Sequence, residues 1–303
     1  MSAATETITR DRMAVPASRL SPSFLGAVRG ELLKLSRQRA TWVMIGGGVL
    51  LFAIVLGAMV SAPNIRTQLH ETPAGWYSET LNIYTSVFDA GAGIFLLIVS
   101  ARLVAMEYSA GTIRVLLGRG TGRLQLLGAK LLTLTLTGLT LLAGFLLASG
   151  IAIYLVVISW EGSFTRVGSL PNFWHDLLVS LLIAGISVGI NILIGTTAAV
   201  LGRSLPFGIG AALAFFPADN FGTIVMGLLN RLTHQGLWNE VTAYLLGPNL
   251  NMLQSLLIRG QRAAFAQPLV RVDATHALVV VGVYAAIFVI ASTALTARRD
   301  ILQ

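Results

Sequence analysis

Residues 41–65 read TWVMIGGGVLLFAIVLGAMVSAPNI, 25 in a row without a charge. Coiled as an α-helix, this tract would rise about 37 Å, more than the roughly 30 Å hydrocarbon core of a bilayer. A membrane strand needs only about 9 to 11 residues and alternates its faces, whereas here apolar residues fill both parities. In lipid the backbone finds no water to bond, and a lone helix pairs its own amides. The tract therefore predicts a membrane-spanning helix.

Working outward, five more tracts repeat the pattern. Residues 81–101 are interrupted only by Asp89, residues 131–160 and 177–202 carry no charge, and residues 277–297 are likewise uncharged. Residues 204–229 are also apolar but hold Pro217, Asp219 and Asn220 in their middle. Proline removes a backbone donor and the polar pair follows at once, so this fifth helix is predicted to be broken there. The break would either line a cavity, as discontinuous helices do in transporters, or form a turn at the outer surface. The fold class expected is an all-α integral membrane protein of six transmembrane helices.

Composition agrees. Of 303 residues, 55% are apolar and 11% charged, against about 25% charged in a soluble domain. Too few charges remain to cover a water-exposed surface. There is no cysteine, which excludes disulfides, thiolate chemistry and cysteine metal clusters. The four histidines, His70, His175, His234 and His276, form no metal-ligand spacing and no nucleophile triad.

The net charge of +8 is a topology signal. Seven arginines and lysines precede the first span, five lie in residues 102–130, and Arg203, Arg298 and Arg299 join them on one side. The opposite side has only Arg66, Arg166, Arg231, Arg259, Arg262 and Arg271. The richer side belongs in the cytoplasm, with both chain ends. The charge is thereby used up without a nucleic-acid partner.

Residues 1–21 read as a flexible cytoplasmic tail and residues 22–40 as an amphipathic helix lying along the inner membrane surface. Phe24, Val28, Leu32 and Leu35 share one helical face, with Arg29, Lys34 and Arg37 mostly off it. An ordinary cytoplasmic helix is the alternative. Trp42, Trp76, Trp160, Trp174 and Trp238 fall near proposed interfaces, where indole anchors a span. The threonines of the third tract, among them Thr133, Thr137 and Thr140, can bond their own helix or a neighbour.

The cytoplasmic segment 102–130 is the most informative. Thr112 can cap a short helix that carries Ile113, Leu116 and Leu117 on one side, and Gly118 and Gly120 permit a tight turn after it. Such a helix is either a docking knob for a soluble partner or a plain connecting loop. The Gly-Arg-Gly-Thr-Gly run at 118–122 lacks the Gly-Lys-Ser/Thr ending of a phosphate loop and follows no strand.

With Glu107, Gly111, Thr112, Leu116, Leu117, Arg123 and Lys130 in this order, the segment resembles the signature of permease subunits of ABC-2 type ATP-binding-cassette exporters. The start, with Glu31, Lys34, Leu35, Arg37 and Arg39 before Trp42, and the end, Arg298-Arg299-Asp300, resemble the same family. The resemblance implies a transmembrane domain over residues 41–303. A coupling segment at 107–123 would seat Glu107, Gly111, Thr112, Ile113, Leu116, Leu117 and Arg123 in a separate ATPase subunit. It further implies two ATPase copies that carry the ATP and Mg2+, a homodimer or a heterodimer with a similar permease, and residence in the plasma membrane. The chain itself would bind no cofactor and catalyse nothing.

The cargo expected is an amphipathic drug, peptide or lipid. Asp89, Pro217, Asp219 and Asn220 are the candidate pathway or gate residues, although Asp89 also fits a place near the outer interface or in interhelix packing beside Gly91 and Gly93. Rival functions are an ion-coupled secondary transporter and a non-transporting membrane anchor or regulatory subunit.

Overall fold

The computed structural model describes residues 23–111, 122–258, 261, 263 and 265–298. Among them every regular element is a helix. Six are long and apolar enough to cross a membrane: Arg39–Ser61, Pro73–Ser109, Arg123–Glu161, Phe173–Gly202, Leu205–Thr233 and Ala274–Arg298, here spans one to six. Span one stops at Ser61, and a short helix, Ile65–Glu71, follows it. Span two runs well past its apolar tract at both ends and span three at its N-terminal end, because a helix continues on its own hydrogen bonds after the apolar stripe is over.

Span five corrects the expectation of a break. It is one continuous helix through Pro217. Proline costs that helix a single bond, the one Leu213 would have accepted. In lipid, breaking the helix would strand several more backbone groups. Asp219 and Asn220 do not mark a surface turn either. They turn toward a 12-residue helix, Leu246–Leu257, which lies between spans five and six in the chain. At 1.5 Å per residue this pocket helix is about 18 Å long, too short to span. Its Gly247, Pro248, Asn249, Leu250 and Leu253 are nevertheless buried.

Spans two and four make the most extensive helix–helix contact, and span five packs on both. Gly195 allows it. A Cβ there would collide with the Ser100 hydroxyl and come within 2.8 Å of the Leu97 carbonyl oxygen. Around this contact Leu97, Ala101, Ile190, Ile194 and Val200 pack with Leu246, Leu253 and Val281 into one core. Spans one, three, five and six have few residues buried, against about half in spans two and four.

The N-terminal helix, Phe24–Arg37, begins at Ser23, whose hydroxyl accepts the Gly26 amide at 3.4 Å. It packs mainly on span three. Its buried residues are Val28, Glu31 and Leu35, while Phe24 and Leu32 of the expected apolar stripe are exposed. The face that turns inward is rotated toward Glu31, for a reason given below. Trp76 also departs from its expected role: it is 1% exposed, packed with Leu69 and Tyr77 in a core rather than set at a lipid interface.

Candidate functional site

Two sites emerge, one at the roots of the 102–130 segment and one among the spans.

At the first, four charged side chains from three helices meet. Glu31 and Lys34 lie one turn apart on the N-terminal helix, Glu107 sits near the end of span two, and Lys130 lies in the second turn of span three. The Lys34 ammonium donates to Glu31 at 2.6 Å and to Glu107 at 2.9 Å. Lys130 lies 3.0 Å from each of the same two carboxylates and donates to the Leu103 carbonyl at 2.8 Å. Glu31, Glu107 and Lys130 are buried, so their charges are deprived of water and rely on one another. This explains the rotated N-terminal helix: an apolar stripe facing span three would have left Lys130 buried with Glu107 as its one carboxylate and would have taken Glu31 away from it. Thr133 adds a hydroxyl bond to the Val28 carbonyl at 3.4 Å, whereas Thr137 and Thr140 bond within span three.

Lys34 keeps nearly half of its side chain exposed. Burial alone would lower its pKa, but the bonds and charges of Glu31 and Glu107 outweigh that and hold it above the ordinary lysine value.

Glu107, expected in the coupling segment, is buried and paired with Lys34 and Lys130. Its Oε2 oxygen is enclosed and has no hydrogen-bond partner. Gly111 follows with φ +65°, a left-handed conformation that glycine takes without strain. Arg123 opens span three and donates to the Ala297 carbonyl of span six at 3.3 Å. Arg37 is exposed. Thr112, Ile113, Leu116 and Leu117 lie outside the described residues, as do residues 1–21.

The second site is a cavity of about 540 Å³ bounded by spans two, four and five, the pocket helix and Phe265. Asp89 and Pro217, both candidates from sequence, line it. So does Leu213, whose carbonyl loses its helical donor to Pro217. Asp219 and Asn220 do not line it. They form a clasp instead. Asp219 accepts the Gly247 amide, and the Asn220 side-chain oxygen accepts from Asn251 Nδ2 at 2.8 Å. Asn251 also donates to the Ala266 carbonyl at 3.0 Å and lines the cavity. Beyond it, Gln254 donates to Thr85 of span two at 2.7 Å, and Gln261 exchanges bonds with Asn82 and the Ser78 carbonyl, each at 2.7 Å. The pocket helix and the chain after it are therefore tied by polar side chains to spans two and five.

A profile of the family described as ABC-2 family transporter protein matches residues 27–216, well over half of the chain. The chain belongs to this family. It is accordingly a multi-pass transmembrane component of a transporter, and a permease component rather than an enzyme. No curated protein matches it. The matched stretch of this ABC-2 chain holds all four members of the charge cluster and Asp89. It ends one residue before Pro217, so the clasp and pocket helix lie beyond it.

Sequence reasoning missed Lys130 as a site residue, along with Ser187, Asn191, Asn251, Gln254 and Phe265. A lysine at the mouth of an apolar tract, and three amides on the apolar helix 246–257, were the available signals.

Proposed function

We propose that this ABC-2 permease is the membrane half of an ATP-driven exporter. It works as two copies, or paired with a similar permease, beside two ATPase subunits that bind and hydrolyse the ATP with Mg2+. Residues 107–123, with Thr112, Ile113, Leu116 and Leu117 on the contact face, are the coupling segment, and the side that holds them is cytoplasmic with both chain ends. The observation that carries this reading is the buried charge cluster. Both roots of the segment, Glu107 and Lys130, are fixed to the N-terminal helix, so a force applied between them reaches spans two and three together. Ion pairs of this kind transmit position because breaking one member leaves a charge stranded. Asp89 and Pro217 belong to the pathway, and the Asp219–Asn220 clasp sets how far the pocket helix can separate from span five. The test is copurification: the tagged chain expressed with its candidate ATPase should bring that ATPase down from detergent extracts and stimulate its ATP turnover. A chain that binds no ATPase and changes no turnover refutes the reading.

A further inference from the structure

The cavity has room for a drug-sized molecule, since sites enclosing such ligands measure roughly 300–1,000 Å³. Its walls are mostly aliphatic and aromatic, and among the described lining residues Asp89 is the one ionisable group. The Oδ1 atom of Asp89 is enclosed and has no hydrogen-bond partner. The Ser187 hydroxyl is the polar neighbour that serves the carboxylate. A carboxylate held among apolar side chains is costly unless a cation or a strong donor meets it. The other buried acids are already served, Glu31 and Glu107 by lysines and Asp219 by the Gly247 amide. Among the described residues Asp89 has only the Ser187 hydroxyl beside it, and it lines the cavity.

A further feature points the same way. Phe216 and Phe265 line the cavity edge to face with ring centroids 6.3 Å apart, and aromatic faces attract cations.

We infer that this cavity binds an amphipathic organic cation, its charge against Asp89 and its apolar body against Phe216, Phe265 and the aliphatic wall. That the bound cation is exported cargo rests on the proposed function; that it binds does not.

The experiment uses the full-length chain in nanodiscs without any ATPase, and measures binding of radiolabelled tetraphenylphosphonium by equilibrium dialysis against protein-free nanodiscs. Tetraphenylborate, of the same shape and opposite charge, is the comparison. Saturable binding of the cation, no displacement by the borate, and weakening by about tenfold or more in Asp89→Asn are expected, with Asp89→Glu keeping the affinity. No saturable binding, equal binding of the anion, or unchanged affinity in Asp89→Asn would overturn the inference. Should a variant fail to fold, the cation-to-anion preference of the unaltered chain decides alone. Because no ATPase is present, a negative result here leaves the exporter reading standing, and a failed copurification leaves a positive result here intact.

Discussion

Glu31, Glu107 and Lys130 are buried and paired with one another, whereas Lys34 is half in water. Their substitutions should therefore differ. Lys130→Met leaves two buried carboxylates with one exposed ammonium, and is expected to cost about 3–5 kcal/mol, the usual penalty for halving a buried pair. Lys34→Met is expected to cost clearly less, because water can replace part of what it supplies. Unfolding of the two purified variants in the same detergent, followed by intrinsic fluorescence, ranks them; equal losses would contradict the burial argument. The pH dependence follows from Lys34. Its folded pKa lies above the unfolded value, so its contribution is fully present below about pH 10.4 and fades as pH rises through the folded value. The stability difference between the unaltered chain and Lys34→Met should thus stay flat through neutral pH and shrink only in strong alkali. A difference that changed between pH 6 and 8 would point to another group.

Among the elements, the contact between spans two and four is the tightest. Gly195→Ala would press a methyl into Ser100 and the Leu97 carbonyl, and overpacking of this kind costs about 1–3 kcal/mol. A lowered thermal midpoint in detergent is the expected result. The pocket helix depends on polar contacts. Asp219→Ala removes the acceptor for the Gly247 amide, and amide hydrogen exchange over residues 246–257 should quicken while that over span four stays slow. The contrast between these elements also shows what could be read from sequence. Spans one, three, four and six were legible because a long uncharged run permits little else in lipid. The continuity of span five was not, since Pro217 with Asp219 and Asn220 reads locally as a break. What keeps the helix whole is the cost of freed backbone groups and a polar partner about 30 residues away in the chain. The face of the N-terminal helix that packs on span three was not legible for a similar reason. Helical periodicity reports apolar residues, and the residue that decided the face was Glu31, through Lys130, 99 positions distant. Asp89 was legible as an oddity of span two; its cavity, assembled from three spans and a short helix, was not.

For the whole molecule, the charge cluster and the cavity share span two, which carries both Glu107 and Asp89. Motion imposed at residues 107–123 can thereby change the cavity's walls without a separate linkage. The chain has no cysteine, so single substitutions introduce a unique reactive thiol. The most direct test places that thiol in turn at positions 113, 116 and 117 and crosslinks the copurified complex with and without ATP. The account predicts a crosslink to the ATPase subunit whose yield changes with nucleotide. A stable complex that yields no crosslink from these positions in any nucleotide state would contradict it.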